Sequence, residues 1–131
     1  MKAAIVINEQ LNSGLLANAA ACITSGLFSG EQNILGDGIE GNGVIFIPIT
    51  KIAILILKQN KKPWEELVAR AKKNKLKYML LTEEAQSTTN YGEYIQRVQG
   101  KSIEELTVIG IGVLGEDNVV QKFSGDLGLL R

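Results

Sequence analysis

Two polar stretches of this 131-residue chain hold most of the side chains that can do chemistry. The first, "NEQLNSGLLAN", contains Asn8, Asn12, Ser13 and Asn18; the second, "TEEAQSTTNY", contains Glu84, Gln86, Thr88, Asn90 and Tyr91. Amides and hydroxyls bind polar ligands by donating and accepting hydrogen bonds, and a carboxylate can activate water as a general base. The chain has no histidine, so the commonest general base near neutral pH and the commonest metal ligand are both missing. Asp37 and Glu40 lie in a Gly-rich turn but lack the oxygen spacing of a calcium loop. Neither a metal nor a cofactor is expected. Cys22 sits among alanines and reads as a small buried apolar residue, with no histidine to make it a nucleophile. "GIGVLG", Gly110 to Gly115, matches G-x-G-x-x-G, yet only sixteen residues follow it. That is too short for the second strand and acid of a dinucleotide fold. Gly110 and Gly112 instead read as thinning one face of a strand where a helix packs, with Gly115 making a turn.

These residues must be positioned by strands and helices. Residues 3–8 read as a buried strand. A helix follows, capped by Asn12 or Ser13 and ended by Gly26 or Gly30. Leu15, Leu16, Ala19, Ile23 and Leu27 stand at helical spacing on its buried side, and Ala17, Ala20 and Ala21 would let it approach the sheet closely. Asn42-Gly43 before an apolar run signals a hairpin. "VIFIPITKIAILIL" reads as strands, with residues 52–57 central and covered on both faces. "PWEELVARAKKNK" is a helix with Pro63 at its start, acids in its first turn and lysines in its last. Its buried stripe is Trp64, Leu67, Val68 and Ala71. Residues 76–82 form a strand, residues 91–98 a turn or two of helix, and Ser102 to Glu105 has capping-box spacing. "LTVIGIGVL" is the last strand, and "EDNVVQKFSG" a short helix ending at Gly125. The alternation predicts one α/β domain: a three-layer α/β/α sandwich with four mostly parallel strands and about three helices. In such a sheet, ligands bind beyond the carboxyl ends of parallel strands. Both polar stretches leave such ends, so they are expected to face one crevice at the N-terminus of the first helix.

Formal net charge is zero, but residues 58–77 carry eight Lys or Arg against two Glu. This basic island could meet phosphates, but nothing interleaves aromatics with it to stack bases, so a nucleic-acid partner is disfavoured. One cysteine allows no internal disulfide and suits a reducing compartment. No leader pattern and no membrane-length apolar run are visible. The expectation is a cytoplasmic protein with no membrane contact.

"AAIVINEQLNSGLLANAAACITSGL" and "LTVIGIGVLGEDNVVQKFSGDLGLLR" resemble the first strand and helix, and the last strand, helix and tail, of type II peptidyl-tRNA hydrolases. They resemble more closely an uncharacterised bacterial family of the same fold, domain of unknown function two thousand. The resemblance covers nearly the whole chain. It implies a mixed four-stranded sheet with one antiparallel strand, and a homodimer. It also implies a hydrolytic site: a lysine near the start of the small-residue helix, an acid after the third strand and a threonine just beyond. The acid would be Glu84 and the threonine Thr88, the candidate catalytic residues. Ala17 or Asn18 stands where the lysine belongs. Alanine can neither take a proton nor stabilise an oxyanion, and asparagine offers only a neutral hydrogen bond. The expected function is therefore a peptidyl-tRNA hydrolase II-like protein without the hydrolase activity. It would bind a small polar ligand or a partner through Asn8, Asn12, Ser13, Asn18, Gln86, Thr88, Asn90 and Tyr91. The alternatives are a hydrolase rearranged around Glu84, and an interaction protein working through a dimer interface.

Overall fold

Four aliphatic runs pair into one sheet in the computed structural model, which describes residues 1–131. The strands are β1 (Lys2–Ile7), β4 (Ala53–Lys58), β5 (Lys77–Thr82) and β6 (Val108–Gly115), in the order β4-β1-β6-β5. β1 pairs with β4 in parallel, whereas β6 runs antiparallel to both β1 and β5. The sheet is mixed: β1, β4 and β5 run the same way, as the alternation predicts, and β6 is the one antiparallel strand that the resemblance implies. The physical reason lies in the connection. The chain reaches the far edge at β5, crosses the carboxyl end of the sheet through residues 83–107, and enters the central slot from that end.

Alternate side chains of the central strands feed two cores. Ala3, Ile5 and Ile7 face α1 (Ser13–Leu27) with Ala19, Ile23 and Leu27. Ala4, Val6, Ile111 and Val113 face α2 (Trp64–Lys73) and α5 (Asp117–Ser124) with Leu67, Val120 and Phe123. Helices thus cover both faces, giving three layers. Gly110 and Gly112 seat α1: a Cβ at either would lie 2.6 Å and 2.4 Å from Ile23. The glycines, more than the alanines, permit the close approach; Ala17 and Ala21 are exposed. Cys22 is exposed too, which corrects its reading as buried. It lies on the outer side of α1, one residue from the buried Ile23.

α1 ends at Leu27 with Phe28 as its cap, and Gly30 follows at φ +77°. Residues 52–57 are not a central strand, because β4 stands at the edge of the sheet and is mostly half-buried. Only β2 (Ile39–Glu40) and β3 (Ile45–Phe46) pair, as a hairpin turning at Asn42-Gly43, before β4 begins. Gly43 takes φ +75°, as such a turn requires. The outer edge of β4 is closed by the tail: Lys58 N–H donates to Gly128 O at 2.9 Å and Leu130 N–H to Ile56 O at 2.9 Å. Asp126 fixes that tail, accepting Arg70 Nη1 at 2.8 Å and Nη2 at 3.0 Å and pairing with Lys62 Nζ at 3.0 Å. These cations hold the Asp126 carboxyl well below the usual carboxylate range. The basic island is thus partly spent on internal pairs, Lys77 also meeting Glu31 at 3.5 Å.

Candidate functional site

Both polar stretches lie at the end of the sheet where β1 and β5 finish and β6 begins. Asn8 leaves β1 in a side-chain turn: its Oδ1 accepts Gln10 N–H at 3.0 Å, and its own N–H donates to Ile109 O at 2.9 Å. Asn12 caps α1, its Oδ1 accepting Leu15 N–H at 3.1 Å. Ser13, the first helical residue, is exposed.

After β5, Thr82 caps the single turn α3 (Glu83–Gln86), its hydroxyl accepting Ala85 N–H at 3.2 Å. Asn90 caps α4 (Tyr91–Val98), its Oδ1 accepting Glu93 N–H at 2.8 Å. Two links then join these elements to distant parts of the chain. Gln86 Nε2 donates to Asn18 Oδ1 at 3.0 Å and to Leu15 O at 3.1 Å, tying α3 to α1. The Glu84 carboxylate accepts Thr107 N–H at 2.9 Å, tying α3 to the chain entering β6. Thr88 Oγ1 donates to Ala85 O at 2.8 Å. Tyr91 is exposed, with its ring tilted against Tyr94 at 5.7 Å.

The sequence-selected residues therefore meet at one end, but most are committed to caps and clamps. Asn18 works as an acceptor toward Gln86 and Cys22, a role that an ammonium could not fill. Glu84 points to a backbone N–H, not to Asn18. Sequence reasoning missed Arg97, which donates to Ser87 Oγ at 2.8 Å and to Glu84 O at 3.3 Å while pairing with Glu93. The i, i+4 spacing of Glu93 and Arg97 was its only signal. Thr107 carried no signal, because its role is its backbone. No three His, Cys, Asp or Glu side chains cluster as metal ligands, and no helix is long and apolar enough to cross a membrane.

One cavity opens at this same end and a second lies away from it. The first, about 190 Å³, lies between α4, the end of β5 and the start of β6, among Thr82, Tyr94, Val98, Ile103 and Val108. The other, about 580 Å³ and more open, lies between the C-terminal half of α1 and residues 47–50. Beside it stands the β2–β3 arm. Leu35, Ile39, Val44, Ile45, Phe46, Ile47 and Ile49 are between 53% and 77% exposed. Residues 41–50 carry no charge.

No curated protein matches the chain. Among solved structures it is similar to a protein of unknown function from Agrobacterium tumefaciens strain C58. That similarity has a TM-score of 0.85 at 18% identity over 98% of this chain and 96% of the other, so the two share a fold. The family described as protein of unknown function, DUF2000, matches residues 1–131, and the chain belongs to it.

Proposed function

We propose that this chain is a single peptidyl-tRNA hydrolase II-like domain of the cytoplasm that does not hydrolyse peptidyl-tRNA and works as an interaction module. The observation that carries the reading is the β2–β3 arm, where seven large apolar side chains stand exposed beside an open groove. Monomeric proteins rarely leave contiguous apolar surface of that size without a partner for it.

The polar end supports the same reading by what it has been used for. Asn8, Asn12 and Asn90 satisfy turn and helix-end N–H groups, Gln86 satisfies Asn18, and Glu84 satisfies Thr107. A ligand would have to displace these bonds, and each leaves a donor or acceptor to be paired again. Hydrolysis would need a free group beside the acid to meet the developing oxyanion, but the Asn18 amide is engaged by Gln86 and the Arg97 guanidinium by Ser87, Glu93 and the Glu84 carbonyl. The small-ligand reading and the Glu84-centred hydrolase both rest on this end.

Two measurements test the proposal. Peptidyl-tRNA turnover should be absent for the natural chain and for Ala17→Lys and Asn18→Lys; turnover that disappears in Glu84→Gln would overturn the non-hydrolytic half. A photo-crosslinking residue at position 47 should form adducts in cells. Adducts confined to a probe at position 13 or 91 would move the working surface to the polar end.

A further inference from the structure

We propose that the cavity between α4 and the sheet is a binding site for a small monocarboxylate whose apolar body is about the size of one six-membered ring. The inference goes beyond the arm and does not depend on it.

The cavity exists because its cover packs incompletely. α4 and the 3-10 turn Ile103–Glu105 face the carboxyl end of β5 and the start of β6. The cover supplies Tyr94, Val98, Ile103 and Leu106, and the sheet supplies Leu80 and Val108. No residue of α4 is buried, so the helix stands off the sheet and leaves about 190 Å³. Packed interiors hold few voids larger than a water molecule. A dry cavity of about 150 Å³ lined by aliphatic side chains takes up benzene, whereas pockets for drug-sized ligands run from about 300 Å³ upward. The volume here therefore suits one ring, or a branched chain of similar bulk.

The polar groups select the head of the ligand. Lys101 is the one charged residue of the lining, and no acid accompanies it. Its ammonium enters none of the chain's ion pairs. The neighbouring Glu105 carboxylate is turned back on its own turn, accepting both Ser102 N–H and Ser102 Oγ at 3.2 Å. Thr82, 6% exposed, uses its hydroxyl oxygen to accept Ala85 N–H at 3.2 Å, which leaves the hydroxyl proton to donate. Half-buried Tyr94 adds a phenolic hydroxyl. A free cation and hydroxyl donors around an apolar hollow favour a carboxylate head over an amine. The ring gains by leaving water. A ligand seated here displaces none of the bonds that Asn18, Gln86 and Glu84 make at the adjoining polar end.

The test is a titration of the full, methyl-labelled chain with benzoate and with benzyl alcohol at constant ionic strength, read by NMR. Lys101→Gln and Val98→Phe accompany the natural chain. Lys101 is exposed and Val98 half-buried, so the fold should survive both changes, and circular dichroism checks that it does. Benzoate should shift the methyls of Leu80, Val98, Ile103 and Val108 saturably, and more tightly than benzyl alcohol does. Lys101→Gln should raise the benzoate Kd about fivefold, the upper end of what an exposed ion pair contributes, and should remove the preference over the alcohol. Val98→Phe should abolish both titrations by filling the hollow. No saturable shift at these methyls overturns the inference. Shifts confined to Ile45, Ile47 and Ile49 overturn it in favour of the arm. Equal Kd values for benzoate and benzyl alcohol on the natural chain overturn the carboxylate. A benzoate Kd unchanged in Lys101→Gln overturns the ion pair, and one unchanged in Val98→Phe overturns the cavity.

Discussion

Gly112→Ala should destabilise the fold through one contact. The strand backbone there accepts any residue, since Gly112 does not take a positive φ. An added Cβ would lie 2.4 Å from Ile23 Cγ2, with Ile5 Cδ1 at 3.2 Å and Leu27 Cδ2 at 3.3 Å. Ile23 is 2% exposed and Ile5 and Leu27 are fully buried, so the methyl can be admitted only by lifting α1. Overpacking of this kind costs about 1–3 kcal/mol. Replacing Gly stiffens the unfolded chain and returns about 0.4–1 kcal/mol. With the clash on three sides, the net loss should be about 2 kcal/mol, lowering Tm by roughly 6–10 °C for a chain of this length. Urea unfolding measures it directly, with an unchanged m-value if the native state stays intact. The decisive arm is a double-mutant cycle. Ile23→Ala alone should cost about 2–5 kcal/mol, and in that background Gly112→Ala should cost close to nothing, because its methyl enters the vacated space. A Gly112→Ala penalty that persists in full without the Ile23 side chain would refute the helix-seat account of "GIGVLG".

The other expected outcomes concern the tail and the first helix. Asp126 is held below its unfolded value, so it adds stability above an unfolded pKa near 3.9 and loses it as pH falls through the lower folded value. Natural chain and Asp126→Asn should therefore differ most at neutral pH and converge from about pH 4 downward. The difference should be about 1 kcal/mol, because the carboxylate is half exposed and screened; a gap that widens in acid would contradict this. Asn12→Ala should cost about 1 kcal/mol by uncapping α1, read by thermal unfolding, while Asn12→Ser should cost little.

Residues close in sequence carried most of the fold. Pro63 with Glu65 and Glu66 marked α2, Asn42-Gly43 marked the hairpin, and the glycines of β6 marked the seat of α1, each through local backbone or steric chemistry. What stayed hidden depends on distant partners. The Gln86–Asn18 bond spans 68 positions and the Glu84–Thr107 bond 23, and neither leaves a periodic trace. The central place of β6 comes from the path of residues 83–107, which carry no strand signal. Exposure was the hardest to read. Residues 44–49 have the composition of a buried strand, and Cys22 follows three alanines, Ala19 to Ala21. Yet a composition suited to burial does not say whether the covering surface comes from the same chain or another.

Amide hydrogen exchange of the isotope-labelled chain with and without unlabelled cell extract tests the central claim most directly, because it reports both candidate surfaces at once. On adding the extract, amides of residues 44–49 should become protected at least tenfold. Those of residues 13–18 and 84–91 should exchange at unchanged rates. Protection that grows at the polar end while the arm exchanges freely would contradict the account.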